Sequence, residues 1–400
     1  PATRKNQRGF LMTTLIHRAK WVMTGPGQWL ENGAVVMEDE RILQVTTGYV
    51  EGGAGKEIDH GEGVLMPALV NAHTHLSLSV LAGRLPLGEG FAAWIRAVLA
   101  ERKSVKEEEA LRAIYGAVVD LKRTGTGLVG EFGPHFPVAE SIEQAGLRAM
   151  IWHELLGNDQ IITPLPDDSH RIQYAYAGHA PNTTSPTLLA RIKEADMQAG
   201  KPFCMHLAES REEIEFLQTG KGTWADLMFA AQIDFSGWKC FGNRPVELAF
   251  KQGLLDKDTL AVHVLEVTQR EVELLAESRC GVCLCPRSNW TLHGKLPDME
   301  RFLKAGIHPA LGTDSLASVT SLSLFDEMGF IAKHYPGVHP DTILALATVN
   351  GAAALRQPER GLLKPGNGAQ MIYVDVKANG PGQASEALVS GCEWKVNFVK

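Results

Sequence analysis

No apolar run in this sequence approaches the roughly 20 residues that a bilayer-spanning helix requires, and the first stretch, PATRKNQRGFLMTTLIHRAKWV, has no apolar core of the kind that defines a signal peptide. A membrane protein and an exported protein are therefore not expected, and a cytoplasmic one is. Residues 1–11 are polar and basic and read as a disordered lead-in, with Met12 as a natural start. Positive charge is in short supply: 39 Lys and Arg against 46 Asp and Glu leave a net charge of −7, without a basic footprint for a nucleic acid. Cysteine is sparse as well. Six residues (Cys204, Cys240, Cys280, Cys283, Cys285 and Cys392) in 400, with no export signal, suggest reduced thiols and no disulfide framework. There is no repeat of solenoid period and no low-complexity tract. What remains is an ordinary globular composition, 44% hydrophobic and 21% charged, with a mean hydropathy of −0.08. Such a chain can bury one large barrel and a satellite unit.

From Leu15 to Val50, short β-prone runs broken by Gly and Asn-Gly give a hairpin pattern. A similar texture returns after Gly361, in GLLKPGNGAQMIYVDV and ALVSGCEWKVNFVK. Between these ends lie eight apolar runs: VLMPALVNAH, TGLVGEF, RAMIWHELL, IQYAYAGHA, KPFCMHLAE, TLAVHVLE, GVCLCPRSN and IHPALGTDS. They alternate with stretches of helical spacing such as 101–123 and 186–200. The pattern predicts an α/β fold: a (β/α)8 TIM barrel over residues 66–360, with a small β-sandwich domain composed of 12–65 and 361–400. In such a barrel the polar residues ending the strands form the site.

The first run ends in His73-Thr74-His75. Positions i and i+2 of a strand face the same side, so both imidazoles can reach one cation. His206, His263 and Asp314 end three other runs at the same face. Three imidazoles and a carboxylate with one open position describe a catalytic divalent site that prefers zinc or iron. Glu209, three residues past His206, suits proton shuttling beside such a metal, the plainer alternative being a helix-capping surface residue. His153, in the His153–Glu154 pair ending the third run, is expected to line the pocket; a packed His–Glu pair is the alternative. The loop after the first run carries Arg84, Phe91 and Trp94, suited to covering a flat heterocycle, unless Phe91 and Trp94 open an amphipathic helix and pack inward. Cys280-x-x-Cys283-x-Cys285 suggests a second zinc site as one alternative, but Cys283 and Cys285 alternating on an apolar strand read as core thiols.

NAHTH, HLAES, the strand-borne His263 and LGTDS resemble the metal-dependent amidohydrolase superfamily, in its cytosine/adenosine-deaminase-like branch, over nearly the whole chain. His179-Ala180-Pro181 and CPRSN are similar to segments of members acting on thioadenosine and adenosylhomocysteine. The G-F-x-x-W-I segment (Gly90 to Ile95), HAPNTTSP and SNWTLHGKL look like aminodeoxyfutalosine deaminases of a menaquinone route. The resemblance implies one metal held by His73, His75, His206 and Asp314, His263 orienting a water, Glu209 as proton shuttle and His179 as a substrate contact. It implies deamination of an N6-amino purine nucleoside as the activity and a homodimer as a form common among relatives. The fourth run carries no lysine to bridge two metals, so a mononuclear site is expected. The H-x-E and P-C-x-x-C signature of nucleic-acid-editing deaminases is absent. Ring hydrolysis such as dehalogenation, or a scaffold that has lost its ligands, are the rival readings; no ligand is lost here.

Overall fold

The computed structural model describes residues 14–48, 50, 55–133 and 135–399. The expected lead-in, residues 1–11, and Met12 lie outside them. Eight parallel strands follow one another in spatial order as they do in sequence: Leu69–Thr74, Thr126–Phe132, Arg148–Leu155, Ile172–Gly178, Phe203–Leu207, Thr259–His263, Gly281–Leu284 and Ala310–Leu311. Seven lie wholly within the apolar runs and the first, Leu69–Thr74, extends one residue past its run, with helices between them. The seam closes where Thr74 bridges Asp314, and where the amides of Thr313 and Asp314 donate to the His73 carbonyl, each at 3.1 Å. This is the expected (β/α)8 barrel.

Side chains obey the two-residue period of a strand. Val70, Leu128, Met150, Trp152, Ala175, Ala177, Cys204, Val262 and Cys283 fill the barrel interior. Ala149, Ile151 and Ile172, one residue out of phase with the interior set, face the helices. Cys283 and Cys285 are interior thiols, as their alternation suggested.

Both ends of the chain join in a second, seven-stranded sheet. Its long hairpin, Thr14–Gly25 with Gln28–Glu38, continues into Arg41–Thr47, and Val64–Pro67 pairs parallel to the first strand and antiparallel to Met371–Val374. Lys56–Asp59, parallel to the first strand, and Val396–Val399, antiparallel to Met371–Val374, complete it. The run VLMPALVNAH is thus two strands, divided at Pro67-Ala68: the first half belongs to the outer sheet, the second opens the barrel. Two further details differ from the sequence pattern. The stretch 101–123 is not one helix, because Phe91–Glu101 ends before Ser104 and Glu107–Arg123 begins anew. The segment ALVSG starts inside the helix Pro381–Leu388, before the final strand.

Candidate active site

The C-terminal ends of the strands deliver the ionisable residues to one place. His73 is fully buried, and neither of its ring nitrogens has a hydrogen-bond partner. It fits because Gly312 across the seam has no side chain; a Cβ there would sit 2.7 Å from the His73 Cβ. His75 follows as the residue before the short helix Leu76–Leu81. The Nε2 atoms of both lie 3.9 Å from Asp314 Oδ1, and His75 Nε2 is 3.1 Å from His206 Nε2. His206 Nδ1 donates to the His179 carbonyl at 2.9 Å, which turns Nε2 toward the cluster. The other oxygen of Asp314, Oδ2, accepts from Ser288 at 2.6 Å and Ser318 at 3.2 Å. A carboxylate steered from behind, with its free oxygen toward bare imidazole nitrogens, is the donor set of a cation.

The electrostatics agree. Burial pushes His75, His206 and His179 down to about 4 and His73 well below the usual histidine range, aided for His73 by its imidazole neighbours. Neutral imidazoles are the form that binds a metal. Burial raises the Asp314 carboxyl, a cost that a bound cation would offset. The orphaned nitrogens of His73 make the same point: desolvated polar atoms cost free energy unless something pairs with them. His73, His75, His206 and Asp314 could therefore hold one divalent ion.

Glu209 sits at the rim of this cluster. Ala208 before it adopts a left-handed φ of 53°, and the amides of Ala208 and Glu209 donate to Glu213 Oε1 and Oε2 at 3.0 and 2.7 Å. Ser210 caps the helix that follows, so the turn is fixed without using the Glu209 side chain. Glu209 Oε1 is 3.4 Å from His293 Nε2 and 3.8 Å from His263 Nε2. Burial alone would raise this carboxyl, but His263 and His293 outweigh it and hold Glu209 well below the usual carboxylate range. It is ionised, ready to take a proton.

His263 reaches the site by backbone strain. Its odd position would turn it away from the interior set of its strand, but φ values of 71° at His263 and 45° at Val264 swing it inward. Asn289 Nδ2 is 3.2 Å from His263 Nδ1, leaving Nε2 to carry the hydrogen toward Glu209. Asp314 is also left-handed, with φ 64°. One short helix, Pro286–His293, supports three of these groups: Ser288 on Asp314, Asn289 on His263, His293 on Glu209. The sequence reading missed these roles; Asn289 and His293, four apart on one helical face, were the available signal.

A cavity of about 280 Å³ opens above the cluster. His179, Glu209, His263 and Asp314 line its floor together with Phe132 and Glu154, and Ile95, Val98, Leu99, Leu156, Trp224, Leu227, Met228 and Ile233 form much of its wall. Trp94 combines both of its expected roles: it packs inward, its Nε1 donating to the Ala317 carbonyl at 2.9 Å, and it lines the cavity. Arg84 is not among the lining residues, because it is ion-paired with Glu109. His153 is not either. It lies out of phase with Met150 and Trp152 and stands against Tyr176, so the next residue, Glu154, faces the cavity in its place.

The amidohydrolase family model matches residues 64–395. The chain belongs to the amidohydrolase family. This amidohydrolase is 31% identical to a 5-methylthioadenosine/S-adenosylhomocysteine deaminase of Moorella thermoacetica over 381 residues, covering 88% of this chain and 83% of that protein. It is 30% identical to a 5′-deoxyadenosine deaminase of Methanosarcina barkeri over 392 residues, 92% and 85% of the two chains. Its fold superimposes on Helicobacter pylori aminofutalosine deaminase in complex with methylthio-coformycin with a TM-score of 0.83 at 24% identity, covering 94% of this chain and 95% of that one. As a family member it is a metal-dependent hydrolase, and among the described residues no helix is long and apolar enough to cross a membrane.

Proposed function

We propose that this amidohydrolase is a hydrolytic deaminase of an N6-amino purine nucleoside, acting with one zinc or iron ion, and that 6-aminodeoxyfutalosine is its substrate. The observation that carries the reading is the placement of Glu209, 3.8 Å from His263 Nε2 and 3.4 Å from His293 Nε2, at a metal-type floor under an apolar, partly aromatic cavity wall. A flat base suits the floor beside Phe132, and an extended apolar 5′ substituent suits Ile95, Val98, Trp224 and Met228. Arg102 stands at the rim without an ion-pair partner among the described residues, matched to a substituent that ends in a carboxylate, as 6-aminodeoxyfutalosine does. The names of the deaminase relatives favour a second reading, 5-methylthioadenosine/S-adenosylhomocysteine as substrate.

His73, His75, His206 and Asp314 would hold the divalent ion, which would supply Lewis acidity to make water a better nucleophile near neutral pH. Glu209 takes the proton of the attacking water and delivers it to the ring nitrogen next to C6 as the oxygen adds there. The His263 Nε2–H, fixed as a donor by Asn289, stabilises that oxygen. The proton remaining on that oxygen then passes through Glu209 to the exocyclic amine, the C6–N bond breaks, ammonia leaves, and a hypoxanthine nucleoside remains. His179 contacts the substrate from the fourth strand.

The test is ammonia release by zinc- and iron-loaded protein from 6-aminodeoxyfutalosine, methylthioadenosine, adenosylhomocysteine, 5′-deoxyadenosine and adenosine. The expected result is a preference of at least roughly tenfold in kcat/KM for the first compound. Preference for a thioadenosine selects the second reading. Chloride release from a triazine with no ammonia from any nucleoside, one metal equivalent being bound, overturns both.

A further inference from the structure

One acidic residue of the cavity lining has been given no role so far. Glu154 ends the third barrel strand, its side chain only 16% exposed, and its Oε1 is buried with no hydrogen-bond partner. It lines the cavity. The nearest basic atom is His206 Nδ1 at 3.7 Å, but that nitrogen already donates to the His179 carbonyl at 2.9 Å. A desolvated carboxylate oxygen without a donor costs free energy, and a ligand that supplies the donor recovers it.

Beside it stands a second acceptor. His179 Nδ1 is 2.6 Å from Thr183 Oγ1, whose hydroxyl donates to the Ala180 carbonyl at 3.2 Å. The proton between histidine and threonine therefore belongs to Nδ1, and His179 Nε2 is a bare lone pair. Ligand atoms of Glu154, His179 and His206 lie within 4.8 Å of one another. The His206 ring separates this pair from the reacting centre, since its Nε2 faces His75 and its Nδ1 faces Glu154. The two acceptors thus address a part of the substrate several ångströms from C6, and that part must bring two adjacent donors. Among the groups of a purine nucleoside, the vicinal hydroxyls of the ribose have that form.

Resting on the nucleoside-deaminase reading above, we propose that Glu154 and His179 form a double acceptor for the 2′,3′-diol of the substrate, with Glu154 the main determinant of ribose over dideoxyribose. The readout is the ratio of kcat/KM for the preferred ribonucleoside to that for its 2′,3′-dideoxy counterpart. With a charge-assisted bond involved, the wild-type ratio should be roughly 100. Glu154→Ala should bring it to within about threefold of unity, with the loss carried by KM; Glu154→Gln, which keeps one acceptor oxygen, should fall between. The same comparison is made at equilibrium, by calorimetric binding of inosine and 2′,3′-dideoxyinosine to the metal-loaded proteins, and needs no turnover.

An unchanged ratio in Glu154→Ala overturns the proposal. So does an equal loss on both substrates carried by kcat, which would put Glu154 at the reacting centre, or two metal equivalents in the wild type against one in Glu154→Ala, which would make it a ligand. Absence of deamination with the inosine discrimination retained refutes the deaminase reading alone.

Discussion

Replacing Glu209 with Gln removes a proton carrier and little else. The residue is held by its backbone amide, which donates to Glu213 at 2.7 Å, so its turn does not depend on its own carboxylate. Gln has the same shape and keeps an oxygen toward His293 and His263, at 3.4 and 3.8 Å in the native protein. The metal-type cluster is built from other residues. Binding and metal content should therefore survive, and the loss should fall on the chemical step. A general acid–base group of this kind contributes about 100- to 10,000-fold, or about 3–5 kcal/mol of barrier at 1.36 kcal/mol per decade. The assay is single-turnover ammonia release at pH 7, with metal content measured on the same sample. Turnover within threefold of wild type, with one metal equivalent bound, would refute the role assigned to Glu209, however the substrate question is resolved.

Two further perturbations probe the frame around the site. Trp94→Ala deletes a buried indole and its bond to the Ala317 carbonyl, and should cost about 3–5 kcal/mol in urea denaturation while raising KM; a loss below about 1 kcal/mol would mean the wall is not supported there. Asp196, buried under the fourth strand with Oδ1 accepting from the Tyr176 amide at 2.9 Å, is pushed up to about 8 by burial, from an ordinary 3.8. The folded state then keeps a proton that the unfolded state releases near pH 4, so stability is complete below that pH and declines as pH rises toward 8, with a slope approaching ~1.4 kcal/mol per unit. Asp196→Asn should flatten the decline in denaturation midpoint between pH 5 and 8, and slopes equal to wild type would refute the shift.

The parts of this protein that obey a simple period were legible in its sequence. All eight barrel strands coincide with apolar runs, the first overrunning its own by one residue, and the histidines and aspartate at their ends are brought together. What was not legible lies where one rule displaces another. Pro67-Ala68 splits a continuous apolar run between two sheets, which composition does not reveal. His153 drew notice as a histidine, yet the strand's parity, with Met150 and Trp152 inward, points to Glu154. His263 breaks the same parity, because a left-handed backbone turns it. Ser288, Asn289 and His293 act through other side chains, and such roles depend on contacts that no local pattern carries.

The barrel seam described above has a kinetic meaning. Asn71 and Thr313 clasp each other across 242 residues, Nδ2 to Oγ1 at 2.8 Å and amide to Oδ1 at 3.1 Å. His73 and His75 stand on one lip of that seam and Asp314 on the other. Half of the donor set is therefore made early in the chain and completed only when the last strand docks. Closing so long a loop is slow relative to local helix formation. A partly folded chain would present scattered histidines with weak affinity, and strong capture of a cation would report that the ring has shut. Metal uptake followed in real time during refolding would thus serve as a clock for barrel closure, trailing the appearance of helical signal.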